Sequence, residues 1–389
     1  MTPGRPRQLL TVLHSAERTG PPLFALRFLR WLREERPDWT LSTLSLGGST
    51  ELLGSFEELG PTLVGTPADP SGSRRRRVRA TAQNLRLARR LRGLGTVDLA
   101  HVHCAGSMRV VDVLPPTRVM THVHELSVGL DLHLGPRARA HVATADHYVA
   151  VADSVRSEFL ERFDVDPGSV ERQFGFVDEA DLPGPVDRTE LGLPADCTLV
   201  AASGVRHWRK APELFVRVAR RLVETRPDVD WRFVWVGGSD VGGLEALVAS
   251  AGLGSVVTFL GHRPDSLRWI AAADLFFLPA REDAFPLVCV EAAALARPIV
   301  SFMSGGTPEL IDMAGCGRVV DFPDVAGAAA VIVELADHPA ERDRLGRAGA
   351  DFVTNQLTIR QAGPKLLAAL EATMCAGDEG HAGPFDRRR

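Results

Sequence analysis

The sequence predicts an α/β protein built from two doubly wound domains. Three observations lead there. The chain has 389 residues, more than one hydrophobic core usually serves. Short apolar runs alternate with segments of helical period through both halves. An acidic, proline-rich, aperiodic stretch at 177–194 separates those halves. Buried strands divided by helices imply parallel sheets covered on both faces.

In the first half, strands are expected at 8–15, 39–45, 99–103, 118–124, 147–151 and 170–174. Helical periodicity fills 22–35, 80–92 and 154–163, with Pro22 suited to a first helical position and Asp153-Ser154 to a helix start. The second half places strands at 198–203, 232–236, 256–260, 275–278, 298–302 and 318–321. Helices fall at 212–225, 241–251, 265–272, 287–296 and 308–313, followed by a helical region at 327–353. The domains are therefore drawn as 1–178, a linker at 179–194, and 195–355. A last helix, 356–375, is expected to pack back on the first domain, and 376–389 reads as a disordered tail.

Composition narrows the function. A formal net charge of −4 gives no sign of nucleic acid as a partner. No apolar stretch approaches the ~20 residues of a membrane span, and the N-terminal stretch reads as a strand, not a secretory leader. Five scattered cysteines without a CxxC fit reduced thiols, so a cytoplasmic, bacterial protein is expected. Lys210 and Lys365 are the only lysines, which singles out Lys210 in a chain that otherwise uses arginine.

Ligands of open α/β sheets sit beyond the carboxyl ends of strands, here in a cleft between two facing domains. Three strand exits carry suitable chemistry. Gly204-Val-Arg-His-Trp-Arg-Lys210 pairs a glycine exit with Arg206, Arg209 and Lys210 before a helix start, which suits a diphosphate. In the second, Asp283 closes a loop and Glu291 follows eight residues later, flanked by Val288, Cys289, Val290 and three alanines. A carboxylate in such apolar company implies hydroxyl or cationic partners, ribose hydroxyls being one candidate and a neighbouring backbone group or Arg another. The third, Gly305-Gly306-Thr307-Pro308, is a helix entry whose N–H groups suit a phosphate.

In this order and spacing, GVRHWRKAPELF, LFFLPAREDAFPLVCVEAAALARPIV and SGGTPELI resemble the GT4-type retaining glycosyltransferases of GT-B fold. The resemblance implies that Arg209 and Lys210 bind a donor diphosphate and that Glu291 bonds the ribose. It puts Asp283 at the first acid of the family's acid–x7–acid motif, with Ala284, Phe285, Pro286 and Leu287 near the donor sugar. Gly261, His262 and Arg263 would hold the base, mainly through backbone. The chain departs from the family twice: Asp283, beside Glu282, stands where Glu is usual, and Ala211 stands where glycine usually follows the lysine.

In the first half, His124 matches a strand-end histidine that faces the donor sugar. Gly20 occupies the place of a glycine-rich loop near the phosphates and the acceptor. Acceptor recognition is expected there and in 127–143. His101, His103 and His122 crowd His124, but alternation along a strand is expected to send neighbours to opposite faces, against a metal cluster. Asp164-Val-Asp166 and Asp228-Val-Asp230 read as surface turns. No metal and no cofactor are expected.

The resulting expectation is transfer of a sugar from a nucleotide-diphosphate sugar to the hydroxyl of a glycan, lipid-linked or secondary-metabolite acceptor. An epimerase or hydrolase on the same fold, or a non-catalytic sugar-nucleotide binding protein, stands as the alternative. The run Arg74–Arg79 reads as a solvated face or as peripheral contact with an anionic membrane at the inner face of the cell membrane.

Overall fold

The computed structural model describes residues 5–71, 73–134, 137–238 and 242–376. It divides into two compact units. One holds the chain up to Phe174 and again from Ile359, and the other spans Gly175–Thr358.

The first unit runs β1 (Gln8–Leu13), α1 (Gly20–Glu35), β2 (Thr40–Ser45), α2 (Leu53–Glu57), β3 (Thr62–Val64), α3 (Arg74–Arg92) and β4 (Leu99–His103). It continues with β5 (Arg118–Val123), α4 (Ser127–His133), α5 (Ala138–Val142), β6 (His147–Ala150), α6 (Asp153–Arg162) and β7 (Val170–Arg172). The strands form a parallel sheet in the order β3-β2-β1-β4-β5-β6-β7. β1, β4 and most of β5 are buried along their length, as a sheet covered on both faces requires.

The second unit runs β8 (Thr198–Ser203), α7 (Pro212–Thr225), β9 (Trp231–Val236), α8 (Leu244–Ser250), β10 (Val257–Phe259), α9 (Ser266–Ala272) and β11 (Leu275–Leu278). Then follow α10 (Leu287–Ala294), β12 (Ile299–Phe302), α11 (Thr307–Ala314), β13 (Gly317–Val320), α12 (Val325–Asp337) and α13 (Pro339–Gln356). Its parallel sheet has the order β10-β9-β8-β11-β12-β13. An aromatic knot fixes α7 on this sheet: Phe215 meets Trp235 and Phe233 edge-on, with ring centroids 5.4 and 5.2 Å apart.

The last helix, α14 (Ile359–Cys375), belongs to the first unit. It lies close on α1, because a Cβ at Gly363 would sit 3.0 Å from the Trp31 ring, and Glu371 pairs with Arg36. The segment 179–194 is not featureless. It carries 3-10 turns at Glu179–Asp181 and Arg188–Leu191, and Arg188 pairs with Asp274 at 2.8 Å in the second unit. The tail at 377–389 lies outside the described residues.

Several boundaries differ from expectation for local reasons. α1 starts at Gly20, so Pro21 and Pro22 both lie in its first turn. α3 begins at Arg74 and absorbs the arginine run, its N-terminus capped by the Ser73 side chain. The helical region expected at 327–353 breaks at His338-Pro339 into two helices.

In both sheets the strand order reverses, between β1 and β4 and between β8 and β11. Such reversals open a crevice at the carboxyl ends of the strands, where ligands of doubly wound folds bind.

Candidate active site

At the β8/β11 reversal, three strand exits of the second unit are knitted together. β8 leaves through Gly204, whose φ of +142° is closed to most side chains. A Cβ there would sit 3.1 Å from Lys210 Cε, so the lysine crosses the bare glycine backbone. Residues 208–210 form a 3-10 turn, and Ala211 ends it in the left-handed region at φ 51°, ψ 51°, immediately before Pro212 opens α7. This conformation explains why glycine is the usual residue at this position: an L side chain there carries about 1–2 kcal/mol of strain.

The Lys210 ammonium pairs with the carboxylate of Asp283 in the β11 exit, and both side chains are mostly shielded from solvent. The two exits are also joined through backbone, where Arg209 O accepts from the N–H groups of Arg281 at 2.7 Å and Glu282 at 3.3 Å. The β12 exit completes the seam. Ser304 Oγ accepts from Asp283 N at 3.1 Å, and Gly306 N donates to Ala284 O at 2.8 Å. A Cβ at Gly305, φ +52°, would lie 1.8 Å from Asp283 O. Lys210, Asp283 and the Gly305-Gly306 turn therefore form one constellation.

Other expected residues surround it unevenly. Phe285 and Pro286 are buried, while Ala284 and Leu287 are half-buried. Glu291 lies one turn beyond Leu287 on α10 and is half-buried, not enclosed as its sequence neighbours suggested. Helical geometry explains the difference. Cys289, Val290, Ala292 and Ala293 point into the core, whereas Leu287, Val288 and Glu291 share the outer face. The Thr307 side chain is fully buried beside the Cys289 thiol, leaving only its backbone at the helix entry. Burial raises that thiol well above the usual range, the nearby Lys210 opposing the shift.

Gly261 sits at φ +68° after β10, its carbonyl accepting from Gly237 N at 2.8 Å. His262 and Arg263 are exposed, and Arg263 pairs with Asp265 at 2.8 Å. Arg206 is not a free member of the cation group: it pairs with Glu245 at 2.7 Å and lies over the Phe259 ring. Among the described residues no ion pair holds Arg209, whereas Lys210 is held by Asp283 and Arg281 by Glu213.

In the first unit, Gly20 opens α1, and a Cβ added there would meet nothing within 4 Å, so the backbone does not demand glycine. Gly48 is the glycine that geometry requires: its φ is +77° and a Cβ would sit 2.6 Å from Ser15 Cβ, at the β1 exit. The expectation that alternation scatters the histidines is corrected. His101, His103, His122 and His124 are two apart on two strands that pair His103 with His122, so all four share one face of the sheet. His103 Nδ1 lies 3.2 Å from His124 Nε2, and His122 Nδ1 lies 3.4 Å from His101 Nε2. Ring nitrogens of His101, His103 and His122 lie within 4.8 Å of one another. Burial lowers the histidine pKa values, those of His101 and His124 to about 3. Glu125 is also buried, and its carboxylate accepts from the N–H groups of Ala105 at 3.2 Å and His124 at 3.0 Å. Asp166 and Asp228 serve surface turns, Asp166 accepting from Gly168 N and Asp228 pairing with Arg226.

Sequence reasoning missed Ser304, Gly48 and Gly175. A Cβ at Gly175 would sit 2.5 Å from Leu287 Cδ2, so this glycine makes room for the β11 exit. The signal available was a glycine between two phenylalanines, which has no local turn to justify it.

Two Rossmann-like parallel-sheet units in this order define the GT-B fold, and solved structures agree. The chain matches Anabaena HepE, solved in complex with UDP, with a TM-score of 0.77 at 16% identity, over 94% of this chain and 100% of that one. It matches WaaG, a glycosyltransferase involved in lipopolysaccharide biosynthesis, with a TM-score of 0.71 at 17% identity, over 93% and 99%. The family model for group 1 glycosyl transferases matches residues 196–338. D-inositol 3-phosphate glycosyltransferase 1 of Catenulispora acidiphila is 30% identical over 314 residues, covering 74% of this chain and 75% of that protein. The chain belongs to the group 1, GT4-type glycosyltransferases. It spans about half the length of other curated relatives. The D-inositol 3-phosphate glycosyltransferase of Corynebacterium kroppenstedtii, 29% identical, matches over 55% of this chain and 50% of its own length.

Proposed function

We propose that this protein is a retaining glycosyltransferase that moves a sugar from a nucleotide-diphosphate donor to an acceptor hydroxyl. The observation that carries the reading is the seam of three strand exits at the β8/β11 reversal, which holds Lys210 and Asp283 against the Gly305-Gly306 turn. In the reaction the bond from the anomeric carbon to the diphosphate oxygen breaks, and a bond to the acceptor oxygen forms on the same face. The leaving phosphate oxygen takes the acceptor's proton, so no side-chain base is required. Arg209 and Lys210 meet the charge that grows on that oxygen, where fixed cations act most strongly in the transition state.

Asp283 meets the donor sugar, Glu291 the ribose, and the Gly261–Arg263 turn the base. The family resemblance assigns His124 to the donor sugar. The UDP and UDP-glucose complexes of HepE favour uridine as the base and a hexose as the sugar. A thermal-shift screen of UDP, GDP, ADP and TDP chooses among bases. The reaction needs no metal, and the protein works in the cytoplasm. α3 contacts an anionic membrane surface, which suits a lipid-linked acceptor. No described helix is long and apolar enough to cross a membrane.

Turnover in EDTA tests the core of this reading. The native chain is expected to stay active, and Lys210→Ala to lose two or more orders of magnitude in kcat, in line with removal of one charge-stabilising group. Near-native turnover by the variant would sink the assignment of the site, and activity that returns only with Mg²⁺ or Mn²⁺ would sink metal independence. Product analysis with donor alone separates transfer from hydrolysis or epimerisation.

A further inference from the structure

The histidine face of the first sheet decides which hydrogen His124 presents. His103 and His124 are joined by one hydrogen bond, Nδ1 of the first to Nε2 of the second at 3.2 Å. Only one of these two nitrogens carries the hydrogen when both rings are neutral, and burial holds both neutral at physiological pH. The other nitrogen of His103, Nε2, is buried with no hydrogen-bond partner. A bare lone pair tolerates that position better than an N–H does, because buried N–H groups without an acceptor are rarer than under-used acceptors. His103 therefore carries its hydrogen on Nδ1 and donates it to His124 Nε2. His124 must then carry its own hydrogen on Nδ1.

The same arrangement repeats one step deeper. His122 Nε2 is also buried without a partner, so His122 Nδ1 donates to His101 Nε2 at 3.4 Å. Phe24 meets the rings of His122 and His124 edge-on at 4.7 and 5.6 Å, which fixes their planes from α1. His101, His103 and His122 are fully buried, whereas His124 at the strand exit is half-buried. Its Nε2 is committed to His103, so the hydrogen left for another partner is the one on Nδ1.

We propose that His103 is a positioning residue that locks His124 in the Nδ1–H form, so that His124 acts towards the donor as a hydrogen-bond donor to a sugar oxygen and not as a base. This rests on the reading above that His124 meets the donor sugar. It assigns a function to a buried histidine that touches no ligand itself, and it specifies the ligand atom as one bearing a lone pair.

The test is ring-nitrogen NMR of the full chain labelled with ¹⁵N-histidine, with His124 assigned by its disappearance in His124→Ala. Native protein near neutral pH is expected to show His124 as the Nδ1–H tautomer without any ligand. His103→Leu is expected to release His124 to the Nε2–H form and to lower kcat more than tenfold with little change in donor KM. His103→Asn, whose side-chain amide offers an N–H near the position of Nδ1, is expected to restore the native tautomer and most of kcat. An Nε2–H tautomer in the native protein overturns the proposal, and that spectrum needs no variant to fold. His124→Ala with native turnover would remove His124 from the reaction while leaving the tautomer result to stand on its own.

Discussion

At residue 211 two small effects nearly cancel. The left-handed conformation of Ala211 carries about 1–2 kcal/mol of strain. Its methyl group is fully buried in the α7 core, a gain of about 0.8 kcal/mol, and alanine costs the unfolded chain less entropy than glycine, by about 0.4–1 kcal/mol. Replacing the family's glycine by alanine is therefore close to neutral, and the turn that presents Lys210 keeps its shape. Gly305 has no such escape. Its φ is positive and its Cβ would overlap Asp283 O, so Gly305→Ala must part the seam between the β11 and β12 exits. Equilibrium denaturation should register a loss of more than about 1–2 kcal/mol in the second unit. Donor binding should weaken with it, and an unchanged midpoint would mean the seam is looser than described.

Among the elements, β4 and β5 make the first unit sensitive to acid. His101 and His124 have folded pKa values near 3, and His103 and His122 lie well below the ordinary 6.5. The unfolded chain binds more protons than the folded one between those values, so stability rises with pH across the window. It is fully present above pH 6.5 and drains away as pH falls towards the folded values, by about 1.4 kcal/mol per unit for each ring. Thermal melts at pH 7 and 5.5 should show a clear drop in Tm in the acid sample, smaller in His101→Gln. A flat profile would mean that the rings titrate alike in the folded and unfolded chain. α3 is the other unusual element. It bears nine arginines and no acid, with Val78 and Leu85 exposed seven residues apart on one face. Anionic vesicles at low salt should sediment the protein, and neutral vesicles or high salt should not. Equal behaviour with both lipids would reduce α3 to a solvated face.

Across the whole molecule, the sequence made the order of strands legible because buried parallel strands are continuous apolar runs and the helices between them keep their period. What it hid was short or depended on contact. β3 has three residues and α2 has five, too few for a period to declare itself. The histidines were visible, but their common face follows from counting in twos along each strand, and the register of β4 on β5 then brings the two pairs together. Lys210 stood out by rarity and Asp283 by its distance from Glu291, yet nothing linear joins them, since the strand reversal brings residues 73 apart into contact. The Glu291 environment was misjudged because neighbours in sequence lie around a helix, not beside one another.

If Lys210 binds the donor diphosphate as proposed, its contact with Asp283 makes the site an ion exchanger. The Asp283 carboxylate holds the ammonium that a diphosphate would seek, so an arriving anion would have to displace an internal one and a departing product would be replaced by it. Asp283→Asn removes that rival. Calorimetry should find the nucleotide diphosphate bound more tightly to the variant, and its release should become the slow step of the cycle. Weaker binding by Asp283→Asn would instead make the carboxylate a support for the lysine. On the exchange reading the enzyme would hold its donor less firmly than its cations allow, and in return would be emptied quickly after each transfer.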